Sequence, residues 1–295
     1  MASARGALAQ NLALGLVADL LLSCGLMMMK IRASVLPMAR GRGTLGAVMT
    51  WIRDPVWIGG LAVQAAGYAL YMVALVGTPV SMMAVAMQGG IALFVVLAVF
   101  FLGERARLWE WLGIGAVLVA MLMLADSLDA GAPQGPLDAN ALAIASVAAA
   151  AITLALLLAR GLRQNGAATA IASGIVLGFA ALYTKPLADG LAAASDLAAL
   201  ATVLLVSPYT YLTIATNVAG LVMLQNSFAM GRGIIAMPLS SAISNVIPIA
   251  GGIAVFGEKL PGEPFAAAMR AGAFVLTIVA SAALAAGDLG AEASR

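Results

Sequence analysis

Asp19 stands in the middle of a run of leucines, alanines and valines. A charged aspartate at the centre of a membrane helix costs roughly 2.5–3.5 kcal/mol on insertion scales, so such a group usually faces a polar interior and serves a function. Here it could bind a cation or a proton. The bland alternative is a carboxyl kept neutral, or paired to a hydroxyl or to a neighbouring helix. Ser23 follows four residues on and Lys30 eleven on, so the three share one helix face. Neutral polar side chains recur in the other apolar runs: Gln64, Tyr68 and Tyr71; Gln88; Asn217, Gln225 and Asn226; Ser241, Ser244 and Asn245. Amides, phenols and hydroxyls hydrogen-bond a small solute without fixing its charge. They also bridge helices, at about 0.6 kcal/mol for an average interhelical hydrogen bond. Asp19, Gln64, Tyr68, Tyr71, Gln88, Asn217, Gln225, Asn226, Ser241 and Asn245 form the candidate substrate-binding set.

Other polar residues read as structural. An enzyme needs a cluster of acids, bases or nucleophiles, and none stands out. The chain has no histidine, which removes most zinc, haem and acid–base arrangements. Its one cysteine, Cys24, excludes an intramolecular disulfide. No metal site and no cofactor are expected. Asp126 and Asp129 form an Asp-x-x-Asp pair that could hold magnesium diphosphate, but no second acidic motif accompanies them and a solvated loop is the simpler reading. Glu104 and Glu258, each after a glycine, read as helix ends with a charge at the interface. Lys185 and Arg270 are expected to snorkel toward the membrane surface.

The elements that must position these groups are membrane helices. Hydrophobic residues make up 63% of the 295-residue chain and charged residues 9%, against about 25% charged in a soluble domain. Such a chain cannot cover itself with a soluble surface. Near-continuous apolar runs predict nine passes: 8–29, 56–76, 80–102, 109–125, 141–159, 167–187, 208–229, 234–256 and 265–286. The first is too long for a signal-peptide core and is read as a retained helix. The apolar stretch 191–206 is either an interfacial helix or an early start to the seventh pass. Pro238, Pro248, Gly251 and Gly252 interrupt the eighth.

With nine passes, alternate loops fall on opposite sides. One side carries Lys30, Arg32, Arg40, Arg42, Arg53, Arg105, Arg107, Arg160, Arg163, Arg232 and Arg295. The other carries Arg5, Lys185, Lys259 and Arg270. The positive-inside rule then puts the N-terminus outside and the C-terminus in the cytoplasm of a cell inner membrane. Gly103-Glu104-Arg105 and Gly257-Glu258-Lys259 close the third and eighth passes 154 positions apart, and Gly77-Thr78-Pro79 meets Gly231-Arg232-Gly233 at the same offset. The fold class expected is an all-α integral membrane protein with a 4+1+4 inverted-topology repeat. Its parts are 1–126, a linker and connecting helix at 127–162, and 163–295.

The stretch 68–124 carries Tyr71, Gly77-Thr78-Pro79, Phe101-Leu102-Gly103-Glu104-Arg105 and Trp111-Leu112-Gly113-Ile114-Gly115. It resembles a small-multidrug-resistance unit of the drug/metabolite transporter superfamily, and Met27-Met28-Met29-Lys30 fits that unit too. The stretch 208–286 is similar to a second, more diverged copy. The nine-helix count and outside N-terminus look most like the NIPA-like and EamA-like branch. The resemblance implies transport by alternating access. Units of that kind carry a membrane glutamate in their first helix for proton coupling. Asp19 does not align with it, so that role is not carried over.

Three functions are open. One is a carrier for a small organic solute. A second is a NIPA-like magnesium pathway, for which carboxylates are wanted and Asp19 alone is offered within the membrane. A third is a non-transporting scaffold or lipid-binding partner. The partners implied are a small-molecule or ion substrate and the lipid bilayer, with no nucleic acid at a net charge of +2. The oligomeric state is open, a monomer among the options. Convergence of Asp19, Gln88, Gln225 and Asn245 on one space would separate carrier from scaffold.

Overall fold

The computed structural model describes residues 2–35, 53–87, 89, 108–127, 135–158, 166–230 and 233–292. Every regular element among them is an α-helix: α1 (Ala2–Val35), α2 (Pro55–Leu75), α3 (Val80–Ala86), α4 (Leu108–Asp126), α5 (Ala139–Leu158), α6 (Gly166–Ala192), α7 (Leu197–Val206), α8 (Pro208–Met230), α9 (Gly233–Val255) and α10 (Pro264–Glu292). Four stretches are long and apolar enough to cross a membrane: Gly6–Met29, Pro55–Leu75, Ala139–Leu158 and Gly166–Ala192. A fifth is counted if Leu197–Val206 and Pro208–Ser227, bent by 60°, form one span.

Nine passes are therefore not reached among the described residues. The passes at 109–125, 234–256 and 265–286 fall on α4, α9 and α10, whose described apolar stretches are Trp111–Leu124, Leu239–Val255 and Pro264–Ala280. The pass at 80–102 begins as α3, and most of it lies outside the described residues, as do Gln88, Glu104 and most of the Gly/Pro linker. The 191–206 stretch resolves into the end of α6 and a separate α7. Asp196 caps α7 by accepting from Ala199 N–H (2.8 Å), and none of its ten residues is buried.

Local chemistry sets the helix ends. Asp54 caps α2, accepting from Val56 N–H (3.1 Å) and Trp57 N–H (2.9 Å), with Pro55 in the first turn. Arg32 near the end of α1 pairs with the same carboxylate at 2.5 Å. This hydrogen bond holds Asp54 below the usual carboxylate range and Arg32 above its own. Gly257, with φ +56°, turns the chain sharply at the end of α9, and Glu258 N–H returns to Gly252 O (3.0 Å).

Lipid tails are as apolar as leucine, so association between helices rests on close van der Waals packing of small residues. α1 lies along α2, where Gly25 and Gly60 face each other so closely that a Cβ on Gly25 would come 2.5 Å from Gly60 O. α6 lies along α8 and α9, with Gly174 against Ser240 and Gly178 against Ile247. α4 packs on α10, and α3 on α9. The common core includes Tyr71, Leu75, Met82, Met83, Leu182 and Phe256.

Two sequence expectations fail on burial. Lys185 and Arg270 do not snorkel; each is 2% exposed. Lys185 Nζ donates to Leu75 O (3.1 Å) and Asp189 Oδ1 (3.0 Å). Arg270 Nη2 donates to Ser127 O (2.6 Å) just past the end of α4. In both cases the cation meets backbone carbonyls of another helix end, where the dipole favours positive charge. Glu258 is likewise buried rather than at an interface.

Candidate functional site

Side chains of α1, α2, α3, α6, α8 and α9 enclose one cavity of about 560 Å³, within the usual range of small-molecule sites. Seven of the ten candidate residues line it: Asp19, Gln64, Tyr68, Tyr71, Asn217, Ser241 and Asn245. Ser23 joins Asp19 from one turn on, as their shared face predicts, and Ser244 lines it as well. Gln225 and Asn226 stand outside the lining, and Gln88 lies outside the described residues. Gln225 is 1% exposed, and neither Oε1 nor Nε2 has a hydrogen-bond partner among the described residues. Of the four residues whose convergence was to be decisive, Asp19 and Asn245 meet.

The hydrogen bonds at the cavity wall have a definite direction. Thr184 Oγ1 donates to Ala180 O (2.7 Å), which uses its only proton. The Tyr68 hydroxyl, bonded to Thr184 Oγ1, must therefore be the donor there. Asn217 Nδ2 in turn donates to the Tyr68 hydroxyl and to Thr213 O, both at 2.9 Å. The second of these fixes the amide, since a flipped Asn217 would set two carbonyl oxygens face to face. A directed chain thus runs from α8 through α2 to α6. It leaves the Asn217 carbonyl oxygen as that amide's remaining function. Gln64 also spends an amide proton on a backbone carbonyl, Leu22 O at 3.4 Å.

The wall offers acceptors, the Asp19 carboxyl and the oxygens of Gln64 and Asn217, together with groups at Tyr71 and Asn245 that can donate as well as accept. The Thr213 hydroxyl, buried with no partner among the described residues, is a donor held in reserve. Asp19 is the one carboxylate in the described lining, and no lysine or arginine is there. Tyr68 and Tyr71 add two tilted rings 5.7 Å apart, whose faces suit a cation.

Sequence reading missed Thr213, Thr184 and Ser240. Thr213 was findable, since it precedes Asn217 by one turn on the same face. Thr184 and Ser240 carry no signal of their own, because hydroxyls are common in membrane helices and only tertiary pairing marks these two. No protein-family model, curated protein or solved structure matches the chain.

Proposed function

We propose that the chain is a small-solute membrane transporter of the drug/metabolite type, with nine passes in a 4+1+4 inverted repeat. Its solute is a small organic molecule that carries hydrogen-bond donors and a positive charge. The observation that carries this reading is the convergence of seven dispersed polar residues from four helices on one cavity with Asp19 as its lone described charge. A scaffold has no use for such a space. A magnesium pathway needs more carboxylates than this lining offers.

The packing supports the repeat. α1 pairs with α2 as α6 pairs with α8, and across the cavity α1 meets α8 as α2 meets α6. Gly67 of α2 lies against Ala18 and Leu22, and Gly220 of α8 against Leu177. Gln64 and Asn217 stand three residues before these glycines and both face the cavity. In this arrangement the N-terminus is outside and the C-terminus cytoplasmic.

The test is uptake into proteoliposomes of organic cations, amino acids and Mg²⁺, for the parent protein and Asp19→Asn. Organic cations should accumulate, and Asp19→Asn should lower the flux at least tenfold while inserting normally. Parental flux in Asp19→Asn at every pH, or uptake of Mg²⁺ alone, would overturn the reading.

A further inference from the structure

The turn from α2 to α3 is tied down by three side chains from three other parts of the chain. Asn11 Nδ2 of α1 donates to Val76 O (2.9 Å). Lys185 Nζ of α6 donates to Leu75 O (3.1 Å). Glu258, from the loop between α9 and α10, accepts from Val80 N–H (2.6 Å), Ser81 N–H (3.2 Å) and the Ser81 hydroxyl. Val80 is itself a wall of the cavity, and beyond it toward this end Leu75 and Leu182 are buried. Glu258 is held in place from behind: its N–H bonds Gly252 O, and a Cβ on Gly252 would collide with its carboxyl. The linker before α5 docks on the same corner, with Gly135 N–H on Phe256 O (2.8 Å) and Asp138 N–H on Val255 O (2.9 Å).

We propose that Glu258 is a latch: by gripping Val80 and Ser81 from the opposite half of the chain it keeps this end of the cavity shut, and its release opens the cavity to the compartment that the α2–α3 turn faces. A buried carboxyl is a suitable fastener because its contacts are strong when made yet exchange readily for water once the end parts. Lys185 faces it from α6, where Asp189 already neutralises that cation. Lys259 and Glu263, on its own loop, are exposed. α3 and α9 bring no charge among the described residues. Burial pushes the Glu258 carboxyl up, against the pull of Ser81, Val80 and Lys185.

The latch rests on the transport reading, but its test needs no substrate. Cys24→Ser removes the native thiol, and Met72→Cys places a reporter in the cavity wall near this end. A membrane-impermeant maleimide is applied from the side of the α2–α3 turn, which Gly77→Cys identifies. Glu258→Ala and Ser81→Ala should each raise the rate of labelling at position 72 roughly tenfold, the equilibrium weight of one or two buried hydrogen bonds. Unchanged labelling in monodisperse Glu258→Ala protein overturns the proposal. Should that variant not fold, Ser81→Cys with Glu258→Cys, joined by a short reducible bis-methanethiosulfonate, decides. Position 72 must stay unlabelled from this side until the bridge is reduced, and labelling through the intact bridge overturns the latch. Failure of every solute to cross in the uptake assay would remove the transport reading and leave this accessibility result standing.

Discussion

Tyr68 joins three helices through one hydroxyl, so its removal has a defined effect. Tyr68→Phe leaves the Asn217 amide and the Thr184 hydroxyl each short of a partner. The expected loss is about 1 kcal/mol, read as a lower midpoint of thermal unfolding in detergent, together with weaker solute binding. Gln225 should behave in the opposite sense. Its amide is buried without a described partner, so Gln225→Leu should stabilise the protein by roughly 1–3 kcal/mol, the burial cost of an unpaired amide. A fall in the unfolding midpoint would reveal a partner for it. Asp19, the amides at 64 and 217 and the tyrosines were legible in the sequence because a polar group in an apolar run is conspicuous. Gln225 was equally conspicuous and misled, because type and position do not say whether a side chain meets a cavity or a neighbouring helix. Lys185 and Glu258 misled for a related reason. A charge near a predicted helix end reads as interfacial until another helix end is found waiting for it.

At the scale of the element, α1 and α2 meet where two glycines remove any spacer. Gly25→Leu should separate the pair and cost about 1–3 kcal/mol or more, whereas Gly115→Ala, which meets open space, should change little. The two midpoints measured side by side check this. Gly77 has φ +67° and open space for a Cβ, so Gly77→Ala should cost about 1–2 kcal/mol through backbone strain alone. The Arg32–Asp54 pair adds a pH signature. Since the Arg32 hydrogen bond holds Asp54 low, its contribution is present at neutral pH and is lost only as the pH falls through that lowered range, beneath that of an ordinary aspartate. Asp54→Asn should flatten that acid limb of the stability profile. Helix existence and type followed from unbroken apolar runs. The break at Ser207 followed only in part: the seventh pass was begun at 208, but 191–206 stayed open between a separate interfacial helix and an early start to that pass, because 197–206 is as apolar as any pass and only the Asp196 cap and Pro208 mark the break.

For the whole molecule, the latch links acidity to shape. The carboxyl of Glu258 is raised where it is buried, so the closed end holds its proton more tightly than an exposed glutamate would. Acid therefore stabilises the closed arrangement, and that stability is lost as the pH rises through the raised value. Labelling at position 72 from this side, taken relative to the exposed thiol of Gly77→Cys to remove the general rise in thiolate with pH, should speed up with rising pH in the parent background. Glu258→Gln, which does not titrate, should flatten this relative dependence. Nine passes and the opposed halves rest on loop charges and repeated glycine turns, several of which lie outside the described residues.

As the one carboxylate of the described lining, Asp19 also gives the transport reading an electrical consequence. Any net charge that the binding space carries through a change of exposure couples that step to membrane voltage, at up to about 2.3 kcal/mol per 100 mV for a charge crossing the full field. A bound cation changes that net charge, so the loaded and unloaded steps should respond to voltage differently. Asp19→Asn should therefore alter the voltage dependence of turnover, measured as uptake against an imposed potential, and an unchanged dependence would remove Asp19 from the moving charge.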